Sequence, residues 1–310
     1  MASHSSHVAI LLCTHQGERF LARQLESVAA QTHTNWRIWV SDDHSTDGTV
    51  EVLGRFRQIW GDDRISWIHG PGKGFVANFL GLACDPRIES EYYAFCDQDD
   101  LWDPDKLEVA LDWVTGIPPH IPAVYGARTR LIDEDGKELG MSPLFPRPMS
   151  FANAIVQSVA GGNTMVFNQA ARALLVEAGA DLDIQTHDWW LYILATGCGG
   201  VLHYDPVPKI GYRQHPKNMV GSNIGWVPRI RRAYRLLIGR FRCMNDRNFA
   251  ALRRMHHRMR PEALELLEQF DRSRNASLLP RIIGIRGSGV YLQTTIGNLG
   301  LIAATLLKKL

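Results

Sequence analysis

The sequence predicts an α/β fold with a mostly parallel central sheet that is covered by helices on both faces. Apolar runs of strand length alternate with helical patterns through the first half of the chain, as in "VAILLC" followed by "RFLARQLESVAAQ". The strand-like runs are apolar at consecutive positions, which is typical of strands buried on both faces of a sheet. Parallel strands also need a long crossover connection, usually a helix, and the helical patterns supply it.

The predicted elements alternate from residue 8 to residue 114. Strands are expected at 8–13, 36–41, 65–69 and 92–96, and helices at 19–31, 49–60, 75–83 and 106–114. Beyond residue 120 the segments are shorter and mixed, with a strand at 162–167 and helices near 168–178 and 187–196. Since a parallel sheet binds ligands at the carboxyl ends of its strands, the polar clusters after these strands should meet at one edge.

Length and composition fit one large domain with an appendage. The chain has 310 residues, of which 45% are apolar and 21% charged, a composition typical of globular proteins. Its five cysteines form no C-x-x-C pair, and its longest apolar runs fall short of the ~20 residues of a spanning helix. We therefore expect a cytoplasmic protein without a disulfide framework, a zinc knuckle or a transmembrane segment.

Positive charge concentrates in the last third of the chain. Eleven arginines and a single acid, Asp246, lie between Arg229 and Arg260. We therefore divide the chain into an α/β domain at 1–225 and a basic amphipathic helical region at 226–310. Such helices lie on anionic membranes, although the same pattern fits helices that pack on the first domain with a solvated basic face. The arginines alternate with Leu, Ile and Phe and mark no stacking surface, so we expect no nucleic-acid partner.

The stretch "FCDQDDLWDPDKL" (95–107) crowds acidic side chains behind a buried strand. Like charges at one strand end repel unless a cation lies among them, and Mg2+ and Mn2+ prefer carboxylate oxygens. Asp97, Asp99 and Asp100 are therefore predicted to bind a divalent cation. Asp103, directly before Pro104, is expected instead to cap the following helix.

A second polar cluster, "SDDHSTDG" (41–48), follows the strand at 36–41. Ser45 or Asp47 is expected to cap the helix that follows. Asp42 and Asp43 remain, and a carboxylate at a strand end can accept the imide N–H of uracil or thymine, or a ribose hydroxyl. The pair therefore favours a nucleotide ligand.

The glycines of "GPGKG" (70–74) are expected to form a turn. The motif lacks the Ser or Thr that completes a phosphate-binding P-loop, and no G-x-G-x-x-G follows the first strand. Lys73 is nevertheless a candidate phosphate contact.

Two further motifs, "HDWW" (187–190) and "YRQHPKN" (212–218), leave alternatives open. Asp188 is either a charge favoured at a helix start or a base beside a sugar platform formed by Trp189 and Trp190. His215 lies in a solvated turn or reaches a pyrophosphate.

In this order the motifs resemble glycosyltransferase family 2, whose inverting enzymes have the GT-A fold. The resemblance covers residues 8 to about 225, and "DQDDLW", "HDWW" and "YRQH" make it most similar to a rhamnosyltransferase-like branch. It implies metal-dependent transfer of a sugar from a nucleotide-sugar donor, dTDP-L-rhamnose or a UDP-sugar, to a saccharide or lipid-linked acceptor. It further implies synthesis of a bacterial surface polysaccharide, with the enzyme peripheral to the cytoplasmic face of the inner membrane.

The resemblance also implies residue roles around the donor nucleotide. Asp43 would hold the pyrimidine, Thr14 and His15 would line the base pocket, and Asn78 would lie near the nucleotide. The family usually has Tyr and Asn where this chain has His15 and Gln16, which leaves base stacking to an imidazole.

At the reacting end of the donor, the resemblance implies that Asp97 and Asp99 form a D-x-D element, with Asp99 on the Mg2+ or Mn2+ ion that bridges the pyrophosphate. His215 would be a further metal or pyrophosphate ligand, and Asp188 the base that deprotonates the acceptor hydroxyl. A sugar nucleotidyltransferase is the alternative enzyme class, although "CTHQGERF" (13–20) matches its glycine-rich triphosphate loop poorly.

Overall fold

The computed structural model describes residues 6–216 and 240–310. Its strands are β1 (Val8–Thr14), β2 (Trp36–Asp42), β3 (Ile65–His69), β4 (Tyr92–Cys96), β5 (Leu101–Trp102), β6 (Ala123–Ala127), β7 (Arg130–Ile132), β8 (Glu138–Met141), β9 (Val166–Asn168), β10 (Val201–Asp205) and β11 (Ile210–Arg213). Its α-helices are α1 (Glu18–Ala29), α2 (Thr49–Trp60), α3 (Phe75–Cys84), α4 (Lys106–Val114), α5 (Phe151–Ala154), α6 (Gln169–Ala178), α7 (His187–Gly197), α8 (Arg240–Leu252), α9 (Pro261–Asn275), α10 (Leu278–Gly287) and α11 (Thr295–Leu306). Every strand and helix expected between residues 8 and 114 is present.

A seven-stranded sheet in the order β10-β6-β9-β4-β1-β2-β3 forms the centre of the fold. Strands β4, β1, β2 and β3 run parallel to one another, and β6 runs parallel to β10. Strand β9 runs antiparallel to both β4 and β6. The prediction of a mostly parallel central sheet is therefore confirmed.

Both faces of this sheet are apolar and covered by helices. In β1, Val8, Ile10 and Leu12 pack in the cluster that contains α1, α2 and α4, whereas Ala9 and Leu11 pack in the cluster that contains α3, α6 and α7. Successive side chains of a strand point to opposite faces, so burial of both faces requires apolar residues at consecutive positions.

A second, smaller sheet has the order β5-β11-β7-β8. Strand β11 lies antiparallel to β5 and parallel to β7. Because β5 directly follows the acidic stretch, β11 carries the residues around Arg213 to the same place. The sequence did not predict this sheet, since its strands have only two to four residues and show little periodicity.

The C-terminal helices α8 to α11 pack on the α/β domain. Phe249, Leu252, Phe270, Ile285 and Leu301 are buried in the same apolar cluster as the residues of α7. The inner face of this region therefore belongs to the main core. This agrees with the alternative that the C-terminal helices pack on the first domain.

The predicted domain boundary at residue 225 lies outside the described residues, as does the start of the arginine-rich segment, 229–239. In the ranges 6–216 and 240–310, the helices are too short or too polar for any of them to cross a bilayer.

Candidate active site

The carboxyl ends of β1, β2 and β4 meet at one edge of the central sheet. The register pairs Thr14 with Asp42 and Leu12 with Cys96, so the segments after these strands leave the sheet side by side. The polar clusters that follow these three strands in the sequence therefore lie together, as the parallel fold requires.

Asp42 is a structural carboxylate at this edge. It is buried and accepts hydrogen bonds from Thr14 Oγ1 (2.8 Å), Ser45 N (2.9 Å) and Ser45 Oγ (2.6 Å). The buried Thr14 hydroxyl is thus taken up by Asp42. The N-cap of α2 is Gly48, which makes no side-chain cap hydrogen bond, so the prediction that Ser45 or Asp47 is the N-cap is wrong. Asp47 lies one residue earlier and accepts the N–H of Thr49 (3.1 Å), the first residue of α2.

Asp43 holds the glycine loop at 70–74. Its two carboxylate oxygens accept the N–H groups of Gly72 (2.6 Å) and Gly74 (3.0 Å). Both glycines have positive φ angles, 66° and 87°, which residues with a side chain rarely adopt. Each oxygen of Asp43 keeps a second lone pair, so the carboxylate is still able to accept an imide N–H.

The other residues expected around the nucleotide differ in exposure. His15 is exposed, and its Nδ1 lies 2.8 Å from the backbone oxygen of Asp43. Asn78 is buried, where its carboxamide donates to the backbone oxygen of Ser41 (3.0 Å) and accepts from Ser41 Oγ (2.5 Å), which ties α3 to β2. The side chain of Lys73 is 68% exposed, and its Nζ lies 3.8 Å from the exposed carboxylate of Asp181.

Gln98 is a residue of this edge that the sequence reading missed. Its carboxamide accepts the N–H of His15 and donates to the carbonyl of His15, both at 2.9 Å. A Cβ at Gly17 would lie 2.2 Å from Gln98 Oε1, so any larger residue at position 17 would displace the Gln98 carboxamide from the backbone of His15. The signal was an amide placed between acids in "DQDD", which points to a neutral partner for backbone groups.

Asp97, Asp99 and Asp188 form a crowded acidic group. The pKa of Asp97 is raised to about 8 by burial and then by the negative charges of Asp99 and Asp188. The pKa of Asp100 is also raised, by burial and by the charges of Asp99 and Asp97. The fold therefore brings the loop after β4 and the start of α7 close enough for their charges to repel.

This acidic group fits a divalent cation in its chemistry. Within residues 6–216 and 240–310, no three His, Cys, Asp or Glu side chains already surround a common point. One pair is in contact, since His215 Nε2 lies 2.8 Å from Asp99 Oδ2. Carboxylate oxygens with uncompensated negative charge are the donors that Mg2+ and Mn2+ prefer, so Asp97, Asp99 and His215 are the side chains that would hold such an ion.

Asp188 lies half-buried in the first turn of α7. Its Oδ2 accepts the N–H of Gly162 (3.0 Å) and its Oδ1 the N–H of Trp189 (2.6 Å). Two backbone donors stabilise the ionised carboxylate and fix its direction. The preceding His187 is stacked on Phe79, with ring centroids 4.0 Å apart, and burial lowers the pKa of His187 to about 4.

The structure contradicts the predicted acceptor platform of Trp189 and Trp190. The two residues are 3% and 0% exposed and pack in the main core, and Trp189 Nε1 donates to the backbone oxygen of Ala154 (2.6 Å). Helix α7 is buried on nearly all sides, so neither indole presents a ring face to a sugar.

The structure also corrects the capping role of Asp103. Helix α4 begins at Lys106, and the Asp103 carboxylate binds the Arg130 guanidinium, with 2.7 Å between Oδ2 and Nη1. Asp105 binds Lys209 Nζ at 2.5 Å. The outer acids of the stretch are thus neutralised by cations of the second sheet or next to it, whereas Asp97 and Asp99 are not neutralised by Lys or Arg among the described residues.

Comparisons with known proteins agree with this geometry. The model of glycosyl transferase family 2 matches residues 9–174. A dTDP-rhamnosyl transferase, RfbG of Shigella flexneri, is 27% identical over 233 residues, which are 71% of this chain and 77% of that protein.

Two solved structures share the fold. TarS 1–349 of S. aureus in complex with UDP-GlcNAc superposes with a TM-score of 0.51 at 17% identity, covering 74% of this chain and 66% of that one. The mannosyltransferase PcManGT from Pyrobaculum calidifontis, in complex with GDP-Man and Mn2+, gives a TM-score of 0.51 at 16% identity, covering 98% and 84%. The fold is GT-A, and since the family match spans more than half of the chain, this protein belongs to glycosyltransferase family 2.

Proposed function

We propose that this glycosyltransferase is a metal-dependent, inverting enzyme that transfers L-rhamnose from dTDP-L-rhamnose to a saccharide or lipid-linked acceptor in bacterial surface polysaccharide synthesis. The observation that carries the proposal is the convergence of Asp97, Asp99 and Asp188 at the carboxyl edge of the sheet. A nucleoside diphosphate with its cation and an acceptor hydroxyl would complete this group, because the cation offsets the repulsion between the carboxylates.

The proposed base is Asp188. Its carboxylate would take the proton of the acceptor hydroxyl while the hydroxyl oxygen attacks the anomeric carbon from the face opposite the departing diphosphate. Two backbone N–H groups already hold the two carboxylate oxygens in place. A single displacement of this kind inverts the configuration at the anomeric carbon. Mg2+ or Mn2+, held by Asp97, Asp99 and His215, would supply Lewis-acid stabilisation of the leaving diphosphate.

The proposed donor rests on two supports. RfbG, which aligns with 71% of this chain, is named a dTDP-rhamnosyl transferase. Asp43, with His15 beside it, lies at the sheet edge where a carboxylate would accept the imide N–H that thymine and uracil share. Thr14 and Asn78 would support this pocket from within the core, and Lys73 would reach a donor phosphate from the glycine loop.

The solved neighbours hold UDP-GlcNAc and GDP-Man, so the donor has to be decided by assay. We suggest measuring turnover of dTDP-L-rhamnose, UDP-glucose, UDP-GlcNAc and GDP-mannose with Mn2+, Mg2+ or EDTA. We expect kcat/KM for dTDP-L-rhamnose to exceed the others by at least about tenfold, a difference of 1.4 kcal/mol. EDTA should abolish turnover and either metal should restore it.

Each contrary outcome removes a different part of the proposal. Preference for another donor overturns rhamnose transfer, and full turnover in EDTA overturns the metal. A product with retained anomeric configuration, read by NMR, overturns the single displacement. Release of pyrophosphate from a nucleoside triphosphate would favour the nucleotidyltransferase alternative.

We further propose that residues 226–310 attach the enzyme to the cytoplasmic face of the inner membrane. Helices α10 and α11 contact each other, and their segment exposes eight large apolar side chains. These are Leu278, Leu279, Ile283, Ile296, Leu299, Ile302, Leu306 and Leu307. Residues 272–310 contain six Lys or Arg and no Asp or Glu, so the segment complements an anionic bilayer, where a lipid-linked acceptor would be found.

Two exposed isoleucines provide a matched test of membrane binding. Ile296 on α11 is 77% exposed and Ile59 on α2 is 73% exposed. We expect Ile296→Asp to weaken binding to phosphatidylglycerol-containing vesicles at low salt by at least about tenfold, since a buried Ile side chain contributes about 1.5–3 kcal/mol. Ile59→Asp should bind like the wild type. The proposal of membrane attachment would be overturned if the wild type did not bind vesicles, or if both variants lost binding equally. It would also be overturned if the wild type self-associated in the absence of lipid and Ile296→Asp abolished that association.

A further inference from the structure

Asp100 differs from the acids on either side of it in the acidic stretch. It is completely buried, its Oδ2 accepts Asn163 Nδ2 at 2.6 Å, and its Oδ1 accepts the N–H of Arg213 at 3.1 Å. Because the whole Asp100 side chain is buried and both of its hydrogen bonds stay within the protein, a ligand would have to displace Asn163 or Arg213 to reach it. Asp100 is therefore not in a position to bind a donor or a cation, and the prediction that it shares a cation with Asp97 and Asp99 is not supported.

The partner of Asp100, Asn163, lies next to the residue that holds the proposed base. Asn163 is in a one-turn 3-10 helix, Gly162–Thr164, and the N–H of Gly162 donates to Asp188 Oδ2 at 3.0 Å. A Cβ at position 162 would lie 2.4 Å from His187 Nε2, so the turn sits directly against the start of α7. Movement of this turn would move the hydrogen bond that orients Asp188.

Arg213 fixes the opposite side of the same loop. Its buried guanidinium donates through Nε to the backbone oxygen of Asp99 (2.8 Å) and through Nη1 to the backbone oxygen of Asp133 (3.1 Å). The backbone N–H of Arg213 also donates to the Asp100 carboxylate. The loop that carries Asp97 and Asp99 is therefore held to the second sheet on one side and to Asn163 on the other.

We infer that Asp100 and Asn163 are a positioning pair that sets the base Asp188 relative to the donor-binding carboxylates Asp97 and Asp99. The inference rests on the proposed function, because it needs Asp188 to be the base. The pair touches no substrate. It acts through two hydrogen bonds joined by the backbone of the 3-10 turn, the first from Asn163 to Asp100 and the second from the N–H of Gly162 to the Asp188 carboxylate.

A reciprocal exchange tests the pair. Asn163→Asp places two carboxylates against each other, and we expect kcat to fall by at least about tenfold with the donor KM changed by less than about threefold, because small displacements of reacting groups cost up to about 100-fold in rate. Adding Asp100→Asn should restore kcat to within about threefold of the wild type. The carboxamide introduced at position 100 then donates to the carboxylate introduced at position 163, while its oxygen keeps the N–H of Arg213.

A milder variant covers the case in which Asn163→Asp does not fold. Asn163→Ala removes the donor without adding charge, and we expect the same split, with a lower kcat and an unchanged donor KM. Thermal melting of each variant, with assays well below the melting temperature, separates loss of fold from loss of rate.

Three outcomes would overturn the inference. The first is a folded Asn163→Ala or Asn163→Asp enzyme with wild-type kcat, which would make the pair purely structural. The second is an exchange that restores the melting temperature but not kcat. The third is a loss confined to donor KM. Asp188→Asn, assayed in parallel, distinguishes these from failure of the proposed function, since an unchanged kcat in that variant would remove Asp188 as the base.

Discussion

Two pairs of neighbouring carboxylates lie at the same edge of the sheet, and they differ in whether hydrogen-bond donors of the protein stabilise their charge. Asp42 and Asp43, at the end of β2, together accept five hydrogen bonds from Thr14, Ser45 and the glycine loop. Asp97 and Asp99, after β4, lie close enough to repel, and the pKa of Asp97 is raised to about 8 by burial and by the charges of Asp99 and Asp188.

The difference shows what distinguishes a carboxylate that the fold itself stabilises from one that needs a cation at a strand end. Hydrogen-bond donors stabilise the ionised form of a carboxylate, whereas like charges and burial destabilise it. The pair after β2 therefore contributes to folding by holding loops, while the pair after β4 keeps a cost that a bound cation would remove. Position at the carboxyl edge alone does not separate the two.

The largest expected effect comes from the third member of the crowded group. If Asp188 is the base, Asp188→Asn should lower kcat by about 100-fold or more, the usual scale of general-base catalysis, while donor affinity is retained. The carboxamide keeps the size of the side chain but can accept only one of the two backbone N–H groups, from Gly162 and Trp189, so we expect some loss of melting temperature and measure the rates well below it. Steady-state kinetics together with donor binding by calorimetry measures both quantities. Parallel losses in donor affinity and rate would assign Asp188 to the donor pocket.

The next effect contrasts the two pairs in stability. Asp42→Asn removes one acceptor from the buried Asp42 side chain, which holds the Thr14 hydroxyl and the half-buried N–H of Ser45, so we expect the free energy of unfolding to fall by about 1–3 kcal/mol. Asp97→Asn removes a like charge from the crowded group, so in metal-free protein the free energy of unfolding should stay the same or rise by up to about 1 kcal/mol. Chemical denaturation in EDTA measures both variants. Equal destabilisation by Asp42→Asn and Asp97→Asn would mean that the fold stabilises both pairs of carboxylates in the same way.

The sequence predicted those parts of the molecule that are long and periodic. Strands β1 to β4 and the helices between them follow from consecutive apolar runs and turn residues. The second sheet was missed because its strands are too short to show a period. Strand β11 of that sheet carries the chain to His215, so only the family resemblance could place His215 with Asp99. The sequence shows which residue types follow each strand, but it does not show which groups donate hydrogen bonds to them.

The acceptor platform failed for a reason that the sequence does contain. "WWLYILA" (189–195) is apolar at every position, which is typical of a helix buried on all sides. That pattern was available, and it indicates core tryptophans more strongly than a sugar site. The backbone N–H groups that orient Asp188 could not be predicted, since they depend on how the Gly162 turn folds against α7.

The smallest effect concerns a buried cation near the acidic stretch. Lys106 is 1% exposed, its Nζ lies 3.6 Å from the centre of the Trp102 ring, and among the described residues it has no hydrogen-bond acceptor. Burial lowers the pKa of Lys106 to about 7. We expect Lys106→Met to raise the free energy of unfolding at pH 7 by about 1 kcal/mol, because an unsatisfied polar group is costly to bury.

The pH dependence of Lys106 has a defined sign. Between about pH 7 and pH 10 the folded protein has released a proton that the unfolded chain still holds, so this residue makes stability rise with pH in that window. Denaturation at pH 7, 8 and 9 should show a steeper rise for the wild type than for Lys106→Met. The same slope in both proteins would mean that Lys106 stays charged in the folded state.

The most direct test of the contrast between the two pairs is the binding of Mn2+ in the presence of dTDP or UDP, measured by electron paramagnetic resonance. We expect one Mn2+ per chain in the wild type and in Asp42→Asn, and none in Asp99→Ala, because Asp97 and Asp99 lie in the repelling acidic group with Asp188, whereas Asp42 is held by Thr14 and Ser45. Mn2+ bound equally by the wild type and Asp99→Ala, or lost in Asp42→Asn but kept in Asp99→Ala, would contradict the assignment of the metal to Asp97 and Asp99.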